Sequence, residues 1–290
     1  MNWGPIADQI SQITGRPFRP DQIQSQGGGC INQAYRISED TQCYFVKLNQ
    51  ASALDMFEAE AEGLRELARP RAIHIPEPIC TGTSGSHSYL VLESLELSGR
   101  CDPALLGRQL ATLHLETRNR FGWHRDNTIG STPQLNQQDT DWLRFWREQR
   151  LGYQLELAAE NGIGRTILEQ GRRLMEELPR FFMDYTPRAS LLHGDLWSGN
   201  VGGDRQGNPV IFDPAVYFGD HETDLAMTEL FGGFGERFFA AYHEVFPIDP
   251  GYARRKTLYN LYHILNHFNL FGGGYGHQAQ SMISRLLQDT

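Results

Sequence analysis

Three oxygen-bearing side chains stand at fixed intervals in this 290-residue chain: Asp195, Asn200 and Asp213. Phosphoryl transfer from a nucleoside triphosphate needs a carboxylate near the attacking hydroxyl and oxygen ligands that hold Mg²⁺ against the phosphates. A kinase catalytic loop has an Asp, an Asn five residues later, and a metal-binding Asp after the next strand. We therefore assign Asp195 as the candidate catalytic base, and Asn200 and Asp213 as candidate Mg²⁺ ligands.

Two short apolar runs must position these side chains. Residues 191–192 and 209–212 predict buried strands, and the polar segment 202–208 predicts the turn between them. Pairing of these strands in one hairpin would bring the three side chains to one end of a sheet. The alternative is an ordinary polar turn, because Asp, Gly and Asn are turn residues in any protein. We favour the catalytic interpretation, since the polar positions and the apolar runs agree in order and spacing.

A run of glycines near the N-terminus is a candidate phosphate-binding loop. Gly27, Gly28 and Gly29 fall in a strand-loop-strand pattern across residues 23–37. Consecutive glycines let backbone N–H groups approach phosphate oxygens with no Cβ in the way. A flexible hairpin without a ligand is the alternative that the glycines alone leave open. Cys30 follows them directly, either as a small buried filler or as a thiol to watch.

Lys47 strengthens the phosphate interpretation, because it ends a β-rich run behind the glycines. There it can reach the α- and β-phosphates as a point charge, although a surface lysine on an edge strand is the alternative. The apolar spacing across residues 51–69 predicts an amphipathic helix. Three of its acids could orient Lys47: Glu58, Glu60 and Glu62. At about 100° per residue, Glu60 lies next to the packed face on the side toward the sheet, and we expect it to be the partner.

Strand patterns dominate as far as Glu93, and helical patterns dominate after it. We therefore predict an α+β, two-lobed fold, and the kinase-like spacing of Asp195, Asn200 and Asp213 indicates that it is protein-kinase-like. The predicted domains are a β-rich ATP-binding lobe at residues 1–93, a hinge at 94–98, and a mainly helical catalytic and substrate lobe at 99–290. Glu93 marks the lobe boundary, where the adenine of ATP would meet exposed backbone.

Several polar residues of the second lobe have open roles. Asp224 lies in the first turn of a predicted helix, where it suits the helix dipole, and we expect it to brace the catalytic loop. Asp220 and Glu222 either line the substrate entrance or lie on a solvated surface. His114 lies on an apolar helical face, and we expect a buried core histidine rather than a catalytic one.

The remaining pattern of the second lobe is helical. Residues 139–161, 164–181 and 235–290 carry aromatic and apolar residues at helical spacing, and they predict core helices. Residues 121–123 and 127–134 predict a polar loop that contains Gly and Pro and is too long to be a mere connection. We expect substrate contacts in it.

The composition excludes several classes of protein. A net charge of −9 without a Lys/Arg cluster argues against a nucleic-acid groove, whereas cationic small molecules remain compatible. No apolar run approaches the roughly 18 residues of a membrane span, and the first residues lack a signal-peptide pattern. Four irregularly spaced cysteines do not predict a disulfide framework or a zinc site. We expect a cytoplasmic protein with reduced thiols, either a monomer or a homodimer.

These motifs together resemble the fructosamine kinase (ketosamine 3-kinase) family, and the resemblance covers essentially the whole chain. The segments that carry it are 28–32, 45–47, 56–60, 193–200, 213–215 and 219–226. The loop around Asp195 alone would also fit aminoglycoside or choline kinases. Trp197 in that loop, the loop at Cys30 and the stretch 129–134 narrow the resemblance.

The resemblance implies ATP and Mg²⁺ as cofactors and a ketosamine substrate, either a small molecule or protein-bound. It implies phosphorylation of the sugar 3-hydroxyl, an unstable 3-phosphate and hence deglycation. By matching position, Lys47 and Glu60 would clamp the phosphates, and Trp197 would pack against the sugar and attract the protonated amine. Some relatives use a cysteine at the position of Cys30 in redox-linked disulfides. We hypothesise that oxidation of Cys30 pins the glycine loop and weakens ATP binding.

Two other functions stay open at this stage. A kinase for another small amine, such as an aminoglycoside or choline, is disfavoured because the chain has no dense acidic cluster for an antibiotic. A non-catalytic nucleotide-binding regulator is disfavoured by four intact residues: Lys47, Asp195, Asn200 and Asp213.

Overall fold

The computed structural model describes residues 2–27, 31–97 and 100–288. The chain divides into two compact units. The first consists of Met1–Asp102 together with Gly202–Asp213, and the second of Pro103–Val201 together with Pro214–Thr290. Among the helices of the described residues, none is long and apolar enough to cross a membrane.

The helices are α1 (Gly4–Thr14), α2 (Leu54–Ala68), α3 (Pro103–His114), α4 (Trp142–Phe145), α5 (Tyr153–Glu160), α6 (Arg165–Glu176), α7 (Glu222–Leu230), α8 (Glu236–Val245), α9 (Tyr252–Phe271) and α10 (Tyr275–Gln288). The strands are β1 (Gln22–Gln26), β2 (Gln33–Glu39), β3 (Gln42–Gln50), β4 (Pro78–Ser84), β5 (His87–Glu93), β6 (Thr117–Arg118), β7 (Asn127–Ile129), β8 (Thr132–Gln134), β9 (Ala189–Leu192), β10 (Val201–Gly203), β11 (Pro209–Ile211) and β12 (Tyr217–Gly219). A π-helical segment, Trp146–Gly152, joins α4 to α5.

The first unit is built on an antiparallel sheet with the strand order β1-β2-β3-β5-β4. β3 is its central strand, so Lys47 is paired on both sides, with Ala34 on β2 and with Leu90 on β5. Lys47 is therefore a buried residue of a central strand, and the alternative of a surface lysine on an edge strand is wrong.

Two helices pack against this sheet through apolar faces, and the face of the second is the one predicted from residues 51–69. α1 contacts β4 and buries Ile6 and Ile10, and it ends at Gly15, whose φ of +68° suits glycine. α2 contacts β4 and β5 and buries the face that contains Phe57 and Leu64. Because α2 has one face fixed on the sheet, the orientation of its acidic residues is fixed too.

The second unit is mainly helical, with a small three-stranded sheet in the order β12-β9-β6. α3 packs closely on α8. The contact requires glycine at position 107, because a Cβ there would lie 2.3 Å from the carbonyl oxygen of Phe238. α9 contacts α5, α7 and α10. The helices predicted in residues 139–161, 164–181 and 235–290 are confirmed, except that the first contains the π-helical segment and the second ends in a 3₁₀ turn at Leu178–Phe181.

The predicted hairpin of residues 191–192 with 209–212 is wrong. β9 pairs with β12 and β6, whereas β11 pairs with β10. Residues 204–208 form a tight turn, in which the Asp204 carboxylate accepts from the backbone N–H groups of Gln206 and Asn208, both at 2.8 Å. This turn places β11 beside β10 and not beside β9. The chain therefore returns directly along β10.

The segment Gly202–Asp213 packs in the first unit, although the predicted boundary put it in the second. The N–H of Ile211 donates to the carbonyl of His74 at 3.2 Å, and the N–H of Asp102 donates to the carbonyl of Gly207, also at 3.2 Å. A Cβ at Gly203 would lie 1.8 Å from the carbonyl oxygen of Arg100, so the two backbones touch. The proposed hinge at residues 94–98 stays a prediction, since Ser98 lies outside the described residues.

Candidate active site

The first unit contains a buried cation between two carboxylates. The Lys47 ammonium donates to Glu60 Oε1 at 2.5 Å and to the Asp213 carboxylate. Burial lowers the pKa of Lys47, but the charges and hydrogen bonds of Asp213 and Glu60 outweigh it and raise the pKa overall. Lys47 is thus a fixed positive charge. The expectation that Glu60, rather than Glu58 or Glu62, pairs with Lys47 is confirmed.

Asp213 has an unusual backbone conformation for a residue other than glycine. Its φ is +58°, in the left-handed region that Asp and Asn tolerate better than other side chains. Such conformations cost free energy and persist where the surrounding structure requires them. The turn at Asp213 thus aims its carboxylate at Lys47, after β11 and before Pro214.

Of the other residues predicted to contact the nucleotide, the structure describes Gly27 and Glu93. Gly27 is exposed after β1, and a Cβ at this position would meet no atom within 4 Å. Gly28, Gly29 and Cys30 lie outside the described residues. Glu93 ends β5, and its N–H donates to the carbonyl of Glu77 at 2.8 Å.

The second unit contains the loop with Asp195 and Asn200. The Asn200 side-chain nitrogen donates to the Asp195 carbonyl at 2.8 Å and to the Asp195 carboxylate at 3.2 Å. The N–H of Asn200 donates to the carbonyl of Trp197 at 2.9 Å. These bonds hold the Asp195 carboxylate next to the Asn200 side chain.

Asp224 braces this loop, as the sequence predicts. Its carboxylate accepts from the N–H groups of His193 at 2.7 Å and Gly194 at 2.8 Å. His114 Nε2 lies 3.2 Å from the same carboxylate, and His114 Nδ1 lies 2.7 Å from the Tyr242 hydroxyl. Burial alone would raise the pKa of Asp224, but the hydrogen bond from His114, nearby charges and the Gly194 N–H lower it. His114 is a buried, hydrogen-bonded histidine, and that expectation is confirmed.

The loop is held from its other side by Ala215. The N–H of Ala215 donates to the carbonyl of His193 at 2.8 Å. Gly194 has a φ of +82°, and a Cβ there would lie 2.0 Å from the Ala215 carbonyl oxygen. Only glycine fits at position 194, because both the conformation and the close approach exclude a side chain.

A polar hairpin fixes the backbone at Ala215, and sequence reasoning missed its role. β7 and β8 enclose the two-residue turn Gly130–Ser131. The Gln134 side-chain nitrogen donates to the Ala215 carbonyl at 3.0 Å, and Asn127 Nδ2 donates to the Val216 carbonyl at 2.8 Å. The loop expected at residues 121–123 and 127–134 therefore contains a strand pair, in which the Gln134 amide is buried and the Asn127 amide is half-buried. Gly-Ser between two short runs was the available hairpin signal.

Trp197 is partly exposed, with 37% of its surface accessible. Its ring lies against Gly199, where a Cβ would stand 2.2 Å from ring atom Cη2, so a larger residue would displace the indole. The ring also packs edge-on against Phe231, with a centroid distance of 6.2 Å. The indole is thus held in one place while part of it stays open to solvent.

Asp220 and Glu222 neither line an entrance nor lie on a solvated surface, and both predictions are wrong. Both are fully buried. Asp220 accepts from the Tyr185 hydroxyl at 2.8 Å and from the Tyr259 hydroxyl. Glu222 pairs with Arg255 through two bonds of 2.6 and 2.9 Å, and burial raises its pKa to about 8. These partners explain the burial, and they are at least 33 residues away in sequence.

The donor atoms of Asn200 and Asp213 suit Mg²⁺. This ion prefers oxygen ligands and is usually bound by one or two carboxylates plus substrate phosphates and waters. Within the described parts of the chain, no group of three or more His, Cys, Asp or Glu side chains is arranged to hold a metal alone. Asp213 has a carboxylate oxygen and Asn200 an amide oxygen, and each is a kind of ligand atom that Mg²⁺ accepts.

The whole chain is similar to one known family and to named relatives. A family model described as fructosamine kinase matches residues 2–289. A Synechocystis protein named as a probable ketoamine kinase is 51% identical over 289 residues, which are 99% of this chain and 97% of that protein. A chloroplastic protein-ribulosamine 3-kinase of Arabidopsis thaliana is 44% identical, over 99% of this chain and 89% of that protein.

Solved structures are similar in fold. A Haemophilus somnus protein provisionally assigned as a fructosamine-3-kinase has a TM-score of 0.89 at 29% identity, and the match covers 97% of this chain and 96% of that chain. An aminoglycoside phosphotransferase solved with AMP-PNP and hygromycin B has a TM-score of 0.63 at 17% identity, over 98% of each chain. The predicted α+β, protein-kinase-like fold is confirmed.

Proposed function

This chain belongs to the fructosamine kinase family, and from this we propose that it is an ATP-dependent kinase that phosphorylates the 3-hydroxyl of ketosamines such as fructosamines and ribulosamines. The relatives that are named as ketoamine and ribulosamine kinases support this reaction, because their similarity extends over nearly the full length of the chain. The observation that best supports phosphoryl transfer is the buried Lys47, which forms ion pairs with Glu60 and Asp213.

In the proposed reaction, the first unit handles the phosphates. Lys47 presents a positive charge to the α- and β-phosphates of ATP, and Glu60 keeps its ammonium in place. Gly27, Gly28 and Gly29 contribute backbone N–H groups, and the backbone at Glu93 meets the adenine. Fixed charges of this kind lower the barrier to phosphoryl transfer mainly by positioning and by charge stabilisation.

Asn200 and Asp213 are the proposed Mg²⁺ ligands. A bound Mg²⁺ would neutralise charge on the β- and γ-phosphates. The Asn200 side-chain nitrogen donates to the Asp195 carbonyl, and we propose that the amide oxygen of Asn200 is the ligand atom. The left-handed backbone conformation of Asp213 also supports this role, because it holds the Asp213 carboxylate next to the Lys47 ammonium.

Asp195 is the proposed base for the 3-hydroxyl proton. Its side chain accepts from Asn200, and its loop is held by Asp224 on one side and Ala215 on the other. Such a loop can keep the carboxylate in line with the attacking oxygen as the γ-phosphoryl leaves. Trp197 is proposed to pack its exposed indole against the C–H groups of the sugar.

We propose deglycation as the outcome, because the 3-phosphate that the resemblance implies is unstable and the amine is then released. The sugar and its carrier are open among fructosamines and ribulosamines, free or protein-bound. A cytoplasmic location stays a prediction, as does a monomer or homodimer. The Arabidopsis relative is named as chloroplastic.

The test measures ATP consumption with Mg²⁺ and two substrates, ribulose-lysine and fructose-lysine, assayed separately. We expect turnover of at least one, and a loss of about 100-fold or more in Asp195→Asn, because a positioned base typically contributes that much. Asp184→Asn, a change at an exposed aspartate of the same unit, is the matched control and should keep wild-type turnover.

Nucleotide binding separates loss of chemistry from loss of the site. Asp195→Asn should still bind MgATP in a fluorescence titration, because Lys47, Glu60 and Asp213 are unchanged. Near-normal turnover in Asp195→Asn would show that the base is misassigned. Wild-type protein that binds MgATP but phosphorylates neither substrate would contradict the proposed function.

A further inference from the structure

Five aromatic rings follow one another across the second unit, starting in the catalytic loop. We call Trp197, Phe231, His267, Phe271 and Tyr275 the aromatic row. The ring centroids of Trp197 and Phe231 are 6.2 Å apart, and those of Phe231 and His267 are 5.0 Å apart. His267 in turn lies 5.7 Å from Phe271 and 5.1 Å from Tyr275. The proposed reaction uses only the first of these rings.

The two outermost rings of the row are accessible. Phe271 is 55% exposed and Trp197 is 37% exposed, while the other three rings are half-buried. Single exposed apolar side chains are common, but a contiguous exposed apolar surface marks a binding site in many proteins. Ring contacts through the half-buried Phe231 and His267 therefore connect the exposed Phe271 with Trp197, the residue proposed to hold the sugar.

Two glycine turns adjoin the row. Phe231 is followed by Gly232–Gly233, and Phe271 is followed by Gly272–Gly274. Gly232, Gly233, Gly272 and Gly273 all have positive φ, so side chains are disfavoured in these turns. An added Cβ at Gly232, Gly272, Gly273 or Gly274 would meet no atom within 4 Å, so these turns leave open space beside the rings.

His267 adds no positive charge to the row. Its Nδ1 donates to the carbonyl of His263 at 2.7 Å, which leaves Nε2 as the acceptor of a neutral ring. Burial lowers the pKa of His267, so the ring stays neutral at physiological pH. A row of neutral aromatic faces attracts ammonium groups and apolar chains.

We propose that the aromatic row binds the carrier of the ketosamine, that is, the lysine side chain and the neighbouring apolar residues of a glycated peptide. The inference rests on the proposed function. A ketosamine joins its sugar to a secondary ammonium, which joins the carrier, so a sugar at Trp197 places the carrier next to Phe231. Each ring-to-ring step of 5.0 to 6.2 Å is about as long as two residues of extended peptide at about 3.3 Å each. A small amine would occupy only the first step.

The test compares two substrates that share the sugar and differ in carrier. One is the ribulose adduct of methylamine, and the other is the ribulose adduct of the lysine side chain in an acetylated Leu-Lys-Leu amide. We expect Phe271→Ala and Tyr275→Ala each to lower kcat/KM for the peptide adduct about tenfold and to change that for the methylamine adduct less than about twofold, because one aromatic contact is worth that much. Phe271→Trp should keep the peptide preference.

Met183→Ala is the matched control, because Met183 is an apolar side chain of the same unit, 80% exposed and outside the row. It should leave both values unchanged. Equal losses on both adducts in Phe271→Ala, or no loss on either, would overturn the inference. A shift from dimer to monomer in Phe271→Ala during sedimentation, with the carrier preference intact, would assign the row to a second copy of the chain and also overturn it.

Wild-type activity separates this inference from the proposed function. If the wild-type protein phosphorylates both adducts and no row variant lowers kcat/KM for the peptide adduct more than for the methylamine adduct, only the role of the row is overturned. Failure of the wild-type protein to phosphorylate either adduct overturns the proposed function, and the inference with it.

Discussion

At the scale of single residues, Lys47 has two tasks that a variant can separate. Its ammonium neutralises buried Glu60 and is also the proposed phosphate contact. Removing one partner of a buried pair leaves an uncompensated charge, which costs more free energy than removing both.

We expect Lys47→Met to lower the free energy of unfolding by about 3 kcal/mol and to abolish ATP turnover. The double variant Lys47→Met/Glu60→Gln should regain most of that stability and none of the activity, because it removes the buried charge and not the need for a phosphate contact. Urea unfolding and ATP consumption measure the two effects. Recovery of turnover in the double variant would contradict the role given to Lys47.

Residue types and spacing predict the acidic partner of Lys47, but they do not predict the burial of Asp220 and Glu222. Helical geometry was enough to select Glu60, because α2 has one packed face and the angle of each acid follows from its position. Asp220 and Glu222 were beyond such reasoning. Their burial depends on Tyr259 and Arg255 of α9, and no local pattern connects α7 with α9.

At the scale of elements, the hairpin of β7 and β8 supports the catalytic loop indirectly. Gln134 accepts from the Tyr262 hydroxyl at 2.8 Å and donates to the carbonyl of Ala215, whose own N–H donates to His193. Loss of the Gln134 amide would leave buried polar groups without their partner.

We expect Gln134→Leu to lower the free energy of unfolding by about 1–3 kcal/mol, the cost of unsatisfied buried groups. It should also lower kcat more than it raises the KM for ATP, because the loop of Asp195 is disturbed and the first unit is not. Gln138→Leu, at an exposed position four residues on, is the control. Steady-state kinetics that change only the KM for ATP would argue against this coupling.

Element existence was predictable here, whereas strand partners were not. The apolar runs correctly indicated strands at β9 and β11, but β9 pairs with β12, which lies 25 residues further along the chain. Pairing depends on where each turn closes, and the Asp204 turn decided it in favour of β10. The roles of Asp195, Asn200 and Asp213 came from spacing alone, and they remain proposals.

At the scale of the whole molecule, buried histidines should make stability depend on pH. Burial lowers the pKa of His263 to about 3, well below its ordinary value near 6.5. Between these two values the unfolded chain binds a proton at this site and the folded chain does not. The contribution of His263 is therefore fully present above pH 6.5 and is lost as the pH falls.

We expect His263→Met to flatten the dependence of unfolding free energy on pH by about 1.4 kcal/mol per pH unit between pH 4 and pH 6. Methionine fills a similar volume and does not titrate. Urea denaturation of both proteins across that range measures the two slopes. Parallel slopes would show that His263 binds its proton equally in the folded and unfolded states.

The hairpin of β10 and β11 makes the two units inseparable as fragments. The chain enters the first unit, leaves it at Asp102, returns at Gly202 and leaves again after Asp213. A peptide ending at residue 102 would lack the carboxylate that pairs with Lys47 and the strand that bonds to His74. A peptide starting at residue 103 would carry that apolar strand with nothing to cover it. Dissecting this protein by truncation would therefore damage both halves, and an isolated first unit would need residues 202–213 joined to residue 102 by an added linker.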